Sequence, residues 1–252
     1  MSSYTLKKSL GQHFLKDEEM CKKIVQAINV TPGMQLLEIG PGAGALTKYL
    51  LQIPGIHFKC VEVDAEKVSY LRHAFPALEG KIIQEDFLAS GVPFEGKFTI
   101  IGNFPYNISS QILFRILEWK NQVKEVVGMF QKEVAERITS PGKNKDYGIL
   151  SVLVQAFYST EYLFEVGRYS FQPPPRVVSA VIRLRHQGNP YGVENEKQFF
   201  TLVKTSFGQR RKMLRNPLKG LFDKGVLEEA FFNKRAEELT VKEFVDLSKR
   251  MI

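Results

Sequence analysis

Four consecutive residues, Asn103-Phe104-Pro105-Tyr106, carry the most specific chemistry in this sequence. They follow an apolar run that reads as a strand over 97–101. An amide side chain next to a proline-stiffened backbone carbonyl offers two fixed hydrogen-bond acceptors. An exocyclic adenine amine needs both. Its lone pair is delocalised into the ring, and acceptors on its two hydrogens favour the pyramidal nitrogen that attacks a methyl group. Asn103 can supply one acceptor through its side-chain oxygen, and Phe104 the other through its carbonyl. Tyr106 can stack on the base, worth ~1–3 kcal/mol per stacked base. A second segment, Phe171-Gln-Pro-Pro-Pro-Arg-Val-Val-Ser179, contains a stiff extended proline run. It is expected to hold Phe171 against the other face of the base. A base reaches such a pocket only after leaving its stack.

The methyl donor has its own candidate residues. Glu38-Ile39-Gly40-Pro41-Gly42-Ala43-Gly44 stands where a first strand meets a first helix. Glycines there let the backbone turn sharply and approach a ligand. Gly40, Gly42 and Ala45 also satisfy a dinucleotide-binding spacing, with Glu62 at a suitable distance. Two residues favour S-adenosyl-L-methionine instead. Pro41 removes a backbone N–H from a loop that would otherwise cradle pyrophosphate. Glu38 adds a carboxylate, which suits the cationic ammonium and sulfonium of that cofactor. Glu62, ending a second strand in CVEVD, can accept both ribose hydroxyls. Asp86, ending a third, can accept from the cofactor's adenine amine.

These residues must be positioned by alternating strands and helices. Helices are predicted over 17–29, 44–52 and from about Glu66 to Phe75. Strands are predicted over 34–39, 57–63, 81–85, 97–101, 123–130, 160–167 and 177–185, with a buried helix over 148–158. The alternation implies an α/β fold with a doubly wound, mostly parallel sheet, whose ligands sit at the carboxyl ends of the strands. Residues 186–190 (HQGNP) break the pattern, and the remainder reads as helical and charged. The expected division is a methyltransferase domain over 1–187 and a small helical RNA- or ribosome-binding domain over 188–252.

The chain has 252 residues, a net charge of +8 and a pI of about 9.3. Such a balance suits a polyanionic partner. Lys204, Arg210, Arg211, Lys212, Arg215 and Lys219 cluster with no acid among them, a candidate phosphate-binding surface that Lys7 and Lys8 could extend. Cys21 and Cys60 form neither a CxxC pair nor a disulfide framework, so no metal site is expected. No apolar run reaches the ~18 residues of a membrane span. A cytoplasmic monomer is the expectation.

Taken in order, KKSLGQHFL (7–15), LLEIGPGAGALT (36–47), VEVD (61–64), EDFL (85–88), GNFPYNISSQIL (102–113), QKEVAERI (131–138), YGILSVLVQ (147–155), FQPPPRVVSAVIRL (171–184) and SFGQRRKMLRNPLK (206–219) resemble the bacterial small-subunit ribosomal RNA adenine dimethyltransferase family. The resemblance runs from residue 7 to about 219. It implies a Rossmann-like methyltransferase domain with a helical C-terminal domain. It implies transfer from S-adenosylmethionine to N6 of two adjacent adenines near the 3′ end of small-subunit rRNA, on an assembling particle. It further implies that Gln12, His13 and Leu15 close over the cofactor together with Gly40, Glu62, Asp86 and Asn103. Many members carry Leu where this chain has Phe104, but only the carbonyl is required there. The same motifs also resemble erythromycin-resistance enzymes that methylate large-subunit rRNA. A noncatalytic assembly factor on this fold is a further alternative, against which the intact Glu38, Glu62, Asp86 and Asn103–Tyr106 argue. A dinucleotide-dependent oxidoreductase would leave Asn103–Tyr106 without a role.

Overall fold

The computed structural model describes residues 13–252. Gln12, Lys7 and Lys8 therefore lie outside the described residues. The chain forms two compact units, residues 1–135 with 161–186, and residues 136–160 with 187–252.

The first unit is built on a seven-stranded sheet of order β4-β3-β2-β5-β6-β9-β7. Its strands are β2 (Gln35–Ile39), β3 (His57–Val61), β4 (Ile82–Ile83), β5 (Phe98–Asn103), β6 (Val123–Gln131), β7 (Tyr158–Val166) and β9 (Ser179–His186). Strands β2 through β6 pair in parallel, and β9 runs antiparallel to β6. The expected α/β fold with a doubly wound, mostly parallel sheet is thereby established. Leu36, Ile101 and Val127 are fully buried on neighbouring strands, as expected where helices cover a parallel sheet.

Three helices connect the strands that matter for the site. Helix α1 (Glu18–Gln26) is capped by Asp17, which accepts from the Met20 N–H at 3.2 Å. Helix α3 (Ala65–Ala74) is capped by Asp64. Helix α2 (Thr47–Leu50) is shorter than the predicted 44–52. Gly42 and Gly44 adopt left-handed φ values of 59° and 81°, which no right-handed helix includes, so turns occupy the first part of the segment. Strand β4 likewise covers only Ile82–Ile83, where it pairs with Cys60 and Val61 of β3 at the sheet edge. A separate two-stranded ribbon joins β1 (Phe14–Leu15) to β8 (Phe171–Gln172), with Leu15 opposite Phe171.

Helices α4 (Ser109–Glu118) and α5 (Lys132–Thr139) follow β5 and β6 in the chain. In the second unit, α6 (Ile149–Gln155), α7 (Glu196–Gly208) and, after the short α8 (Lys224–Leu227), α9 (Val241–Ser248) pack on one another. Phe199, Leu202, Val203, Phe244 and Val245 form much of its interior. The sequence division at residue 187 groups 136–160 with the first domain. The fold groups them with 187–252, because the apolar side of α6 is buried against α7 and α9. A composition break marks where the chain leaves a unit for the last time, and an earlier excursion leaves no such mark. Among the described residues, no helix is long and apolar enough to cross a membrane.

Candidate active site

One cavity opens at the carboxyl ends of β2, β3 and β5, and it gathers most of the predicted residues. His13, Leu15, Glu38, Gly40, Gly42, Glu62, Asp86, Asn103, Phe104, Pro105 and Tyr106 all line it. They converge because parallel pairing brings the last residues of successive strands to one edge of the sheet.

The glycine loop is shaped by its backbone. Gly40, Gly42 and Gly44 all have positive φ. At Gly44 an added Cβ would also lie 2.4 Å from the Phe75 ring, so that position excludes any side chain on two grounds. The Gly42 N–H donates to Glu62 Oε2 at 3.3 Å, tying the loop to the end of β3. Glu62 Oε1 accepts from the Asp64 N–H at 3.1 Å, and Lys67 Nζ lies 3.7 Å from Oε2. Two carboxylate oxygens offer about four lone-pair sites, so acceptor capacity remains for hydroxyl donors. Asp86 Oδ1 accepts from the Leu88 N–H at 2.9 Å, so one oxygen stabilises its own turn while the residue lines the cavity.

Glu38, expected to bring a carboxylate to the loop, is enclosed beneath it. It is buried and accepts from Thr47 Oγ1 at 2.7 Å. Burial pushes its carboxyl up to about 8, the Thr47 hydrogen bond opposes this, and the nearby Glu62 charge adds to it. Near neutral pH, without a cationic ligand, Glu38 therefore holds its proton and props the loop from inside.

The loop after β5 is shaped by volume. Phe104 is 1% exposed, and its N–H donates to Met129 O at 3.2 Å. Its ring lies edge-on to Phe130, with centroids 5.1 Å apart, over Gly102 and Gly128. A Cβ at those glycines would come within 2.7 Å and 2.5 Å of the ring. The larger side chain is thus accommodated by two glycines on adjacent strands, and its burial fixes the peptide that carries the Phe104 carbonyl. Tyr106 hydroxyl and Ser179 hydroxyl are 2.5 Å apart. His13 Nδ1 is 2.8 Å from Pro173 O, and its ring lies 6.2 Å from that of Tyr106 at an interplanar angle of 29°.

Phe171 requires a correction. It has no exposed surface, belongs to the core cluster and does not line the cavity. Pairing in the β1–β8 ribbon sets it beside Leu15 and turns its ring into the apolar interior. Sequence reasoning also missed several lining residues. Val63 lines the cavity and is 63% exposed. An apolar residue between the two acids of Glu62-Val63-Asp64 was the available signal. Phe14, Lys67, Phe87 and Ile108 also line the wall, and Lys67 had no signal because one lysine in a mixed polar and apolar helix does not stand out.

The basic residues lie in the second unit. Arg211, Lys212, Lys219 and Lys204 are exposed. Arg210 and Arg215 are more committed than expected. Arg210 donates to Glu237 Oε2 at 3.1 Å and to Asn144 O at 3.2 Å, and Arg215 bonds the Asn233 side chain. A guanidinium fork readily joins two acceptors, and here it knits loops together.

A family model described as ribosomal RNA adenine dimethylase matches residues 3–252. The chain belongs to the ribosomal RNA adenine dimethylase family. It is accordingly a methyltransferase whose substrate is ribosomal RNA. Its relatives include a protein of Flavobacterium johnsoniae, 52% identical over 100% of this chain and 97% of its own length. Another, from Cytophaga hutchinsonii, is 48% identical over 100% of this chain and 99% of its own. Both are named ribosomal RNA small subunit methyltransferase A. The fold resembles a dimethyladenosine transferase from Plasmodium falciparum, with a TM-score of 0.78 and 24% identity, covering 95% of this chain and 99% of that one. It also resembles the 23S rRNA methyltransferase ErmE, with a TM-score of 0.71 and 24% identity, over 94% of this chain and 99% of that one. Those two likenesses are of fold.

Proposed function

We propose that this dimethylase uses S-adenosyl-L-methionine to methylate N6 of two adjacent adenines near the 3′ end of small-subunit rRNA, acting as a cytoplasmic monomer on the assembling small subunit. The carrying observation is a cavity lined by Glu62 and Asp86 together with Asn103–Tyr106. The relatives' names favour the small subunit over the large.

The donor set fits the cofactor. Glu62 has acceptor capacity for ribose hydroxyls, Val63 offers an apolar face to a purine, and Asp86 can accept from its amine. Gly40 and Gly42 let the backbone approach the methionyl part, with Leu15 and His13 at the margin. The cofactor supplies an electrophilic methyl group. Everything else is positioning. Asn103 Oδ1 and the Phe104 carbonyl accept the two hydrogens of the target amine, directing its lone pair toward the methyl. Pro105 stiffens that carbonyl, and Tyr106 stacks on the base. Attack on the methyl would leave the nitrogen positively charged, and that cation is acidic enough to give its proton to water. Exposed Arg211, Lys212, Lys204 and Lys219 neutralise backbone phosphates, with Arg210 and Arg215 holding the segment in shape. Selectivity then comes from RNA shape and particle context. The domain over 188–252, with 136–160 folded into the same unit, carries this RNA surface.

Labelled methyl transfer to unmethylated small subunits, large subunits and free rRNA tests the reading. Label confined to small subunits, recovered as N6,N6-dimethyladenosine, is the expected result. Label in large-subunit RNA would overturn the substrate assignment, and no label anywhere would overturn the catalytic one.

A further inference from the structure

The proline-rich segment has a use in the site even though Phe171 is in the core. The geometry points to Ser179 as a positioning residue that fixes the ring of Tyr106 for the target base, with the Pro173 carbonyl holding His13 against the same ring. This inference rests on the base-stacking role proposed for Tyr106.

Tyr106 follows β5 in an irregular turn, so regular backbone pairing does not define where its ring goes. Two side-chain torsions separate the ring from the chain, and apolar packing alone leaves such a ring free to tilt. Its tip, however, meets Ser179 Oγ at 2.5 Å, across 73 residues of sequence. Ser179 is the first residue of β9, has no exposed surface and lies opposite Gln131 of β6. The anchor is therefore rigid. A buried hydroxyl is costly unless paired, and each of these two satisfies the other. Either oxygen can donate. Burial pushes the Tyr106 hydroxyl above its ordinary value while the Ser179 bond pulls it down, so it remains a neutral phenol through the working range.

A second restraint acts on the ring itself. Pro173 O lies 2.8 Å from His13 Nδ1, and the His13 ring packs near-parallel to Tyr106. Residues 173 and 179 thus bracket one aromatic side chain, one through its neighbour and one directly. An in-line transfer is sensitive to errors of about 1 Å, which can cost ~10²-fold in rate. A tilt of the stacking ring would shift the target amine relative to Asn103 and the Phe104 carbonyl.

The test is a double-mutant cycle in the full-length protein, with small subunits as substrate. Ser179→Ala and Tyr106→Phe each remove one hydroxyl and leave the ring in place. Each is expected to lower kcat about tenfold, with S-adenosylmethionine affinity, read by calorimetry, within about twofold of wild type. The double variant should be no slower than the slower single, because both changes break one bond. Ser179→Thr should restore most of the rate, which a packing defect in β9 would not allow. Wild-type kcat in Ser179→Ala, or losses that multiply in the double variant, would overturn the inference. Tyr106→Phe keeps Ser179 intact and so decides the matter even if Ser179→Ala folds poorly. Tyr106→Ala tests the underlying reading separately: a normal rate there would remove the stacking role itself.

Discussion

The two loops that build the cavity stand at the ends of paired strands, yet they reach their shapes by opposite means. The loop at 40–44 after β2 has three glycines at positive φ. Its form is a matter of backbone freedom. The loop at 103–106 after β5 has none and is set by the buried ring of Phe104. Its form is a matter of volume. The cofactor side should therefore be damaged by any Cβ on the loop itself, and the target side by a change in the space beneath it.

The largest effect should come from that space. Gly128→Ala would place a Cβ 2.5 Å from the Phe104 ring and 2.7 Å from Phe130. We expect methyl transfer to fall by about 10²-fold, with overpacking costing about 1–3 kcal/mol of stability. Cofactor affinity should change only a few-fold. An equal collapse in affinity, measured by calorimetry, would show that the two loops are not independent.

Gly42→Ala strikes the other loop. A left-handed conformation costs an L-residue ~1–2 kcal/mol, and relief of that strain would break the Gly42–Glu62 hydrogen bond. Cofactor affinity should fall about tenfold, with the rate at saturating cofactor nearly intact. A kcat loss at unchanged affinity would contradict the division.

Glu38 offers a pH test of the prop under the glycine loop. Its carboxyl is raised from 4.5 to about 8 in the folded protein. The unfolded chain therefore loses this proton first, and the folded state is progressively disfavoured as pH rises from about 4.5 to about 8. Thermal melts of the cofactor-free protein should show that decline, and Glu38→Gln should flatten it. An unchanged slope in the variant would assign the dependence to other groups.

The smallest effect concerns the RNA surface. Arg211→Glu with Lys212→Glu should weaken RNA binding and reduce the salt slope by about 1.5, at 0.7–0.9 per phosphate contact. Cofactor affinity should not move. A wild-type slope would place the phosphate contacts elsewhere.

The same contrast explains what could be read from the sequence. Glycine spacing reports backbone demands directly, so the loop at 40–44 was legible, as were Glu62 just after β3 and Asp86 three residues beyond β4. The place of Asn103 and Pro105 in the cavity was legible because their residue types stand out at the end of a predicted strand. Phe171 was misplaced because an aromatic beside prolines does not reveal which way its ring turns, and here the β1–β8 pairing decides. Val63 and Lys67 enter the cavity through the geometry of the strand end and helix, not through any pattern of their own. The grouping of 136–160 with the helical unit was hidden for the same reason, since long-range packing of α6 leaves no local break.

The central claim is that Asn103 acts on the target amine in the same cavity that takes the methyl donor. Single-turnover methyl transfer by Asn103→Ala, alongside calorimetric titration of S-adenosylmethionine, tests it most directly. The account predicts a rate loss of about 10²–10³-fold, as for other hydrogen-bond partners that act in a transition state, with cofactor affinity within a few-fold of wild type. A normal transfer rate, or a loss of affinity that accounts for the whole loss of rate, would contradict it.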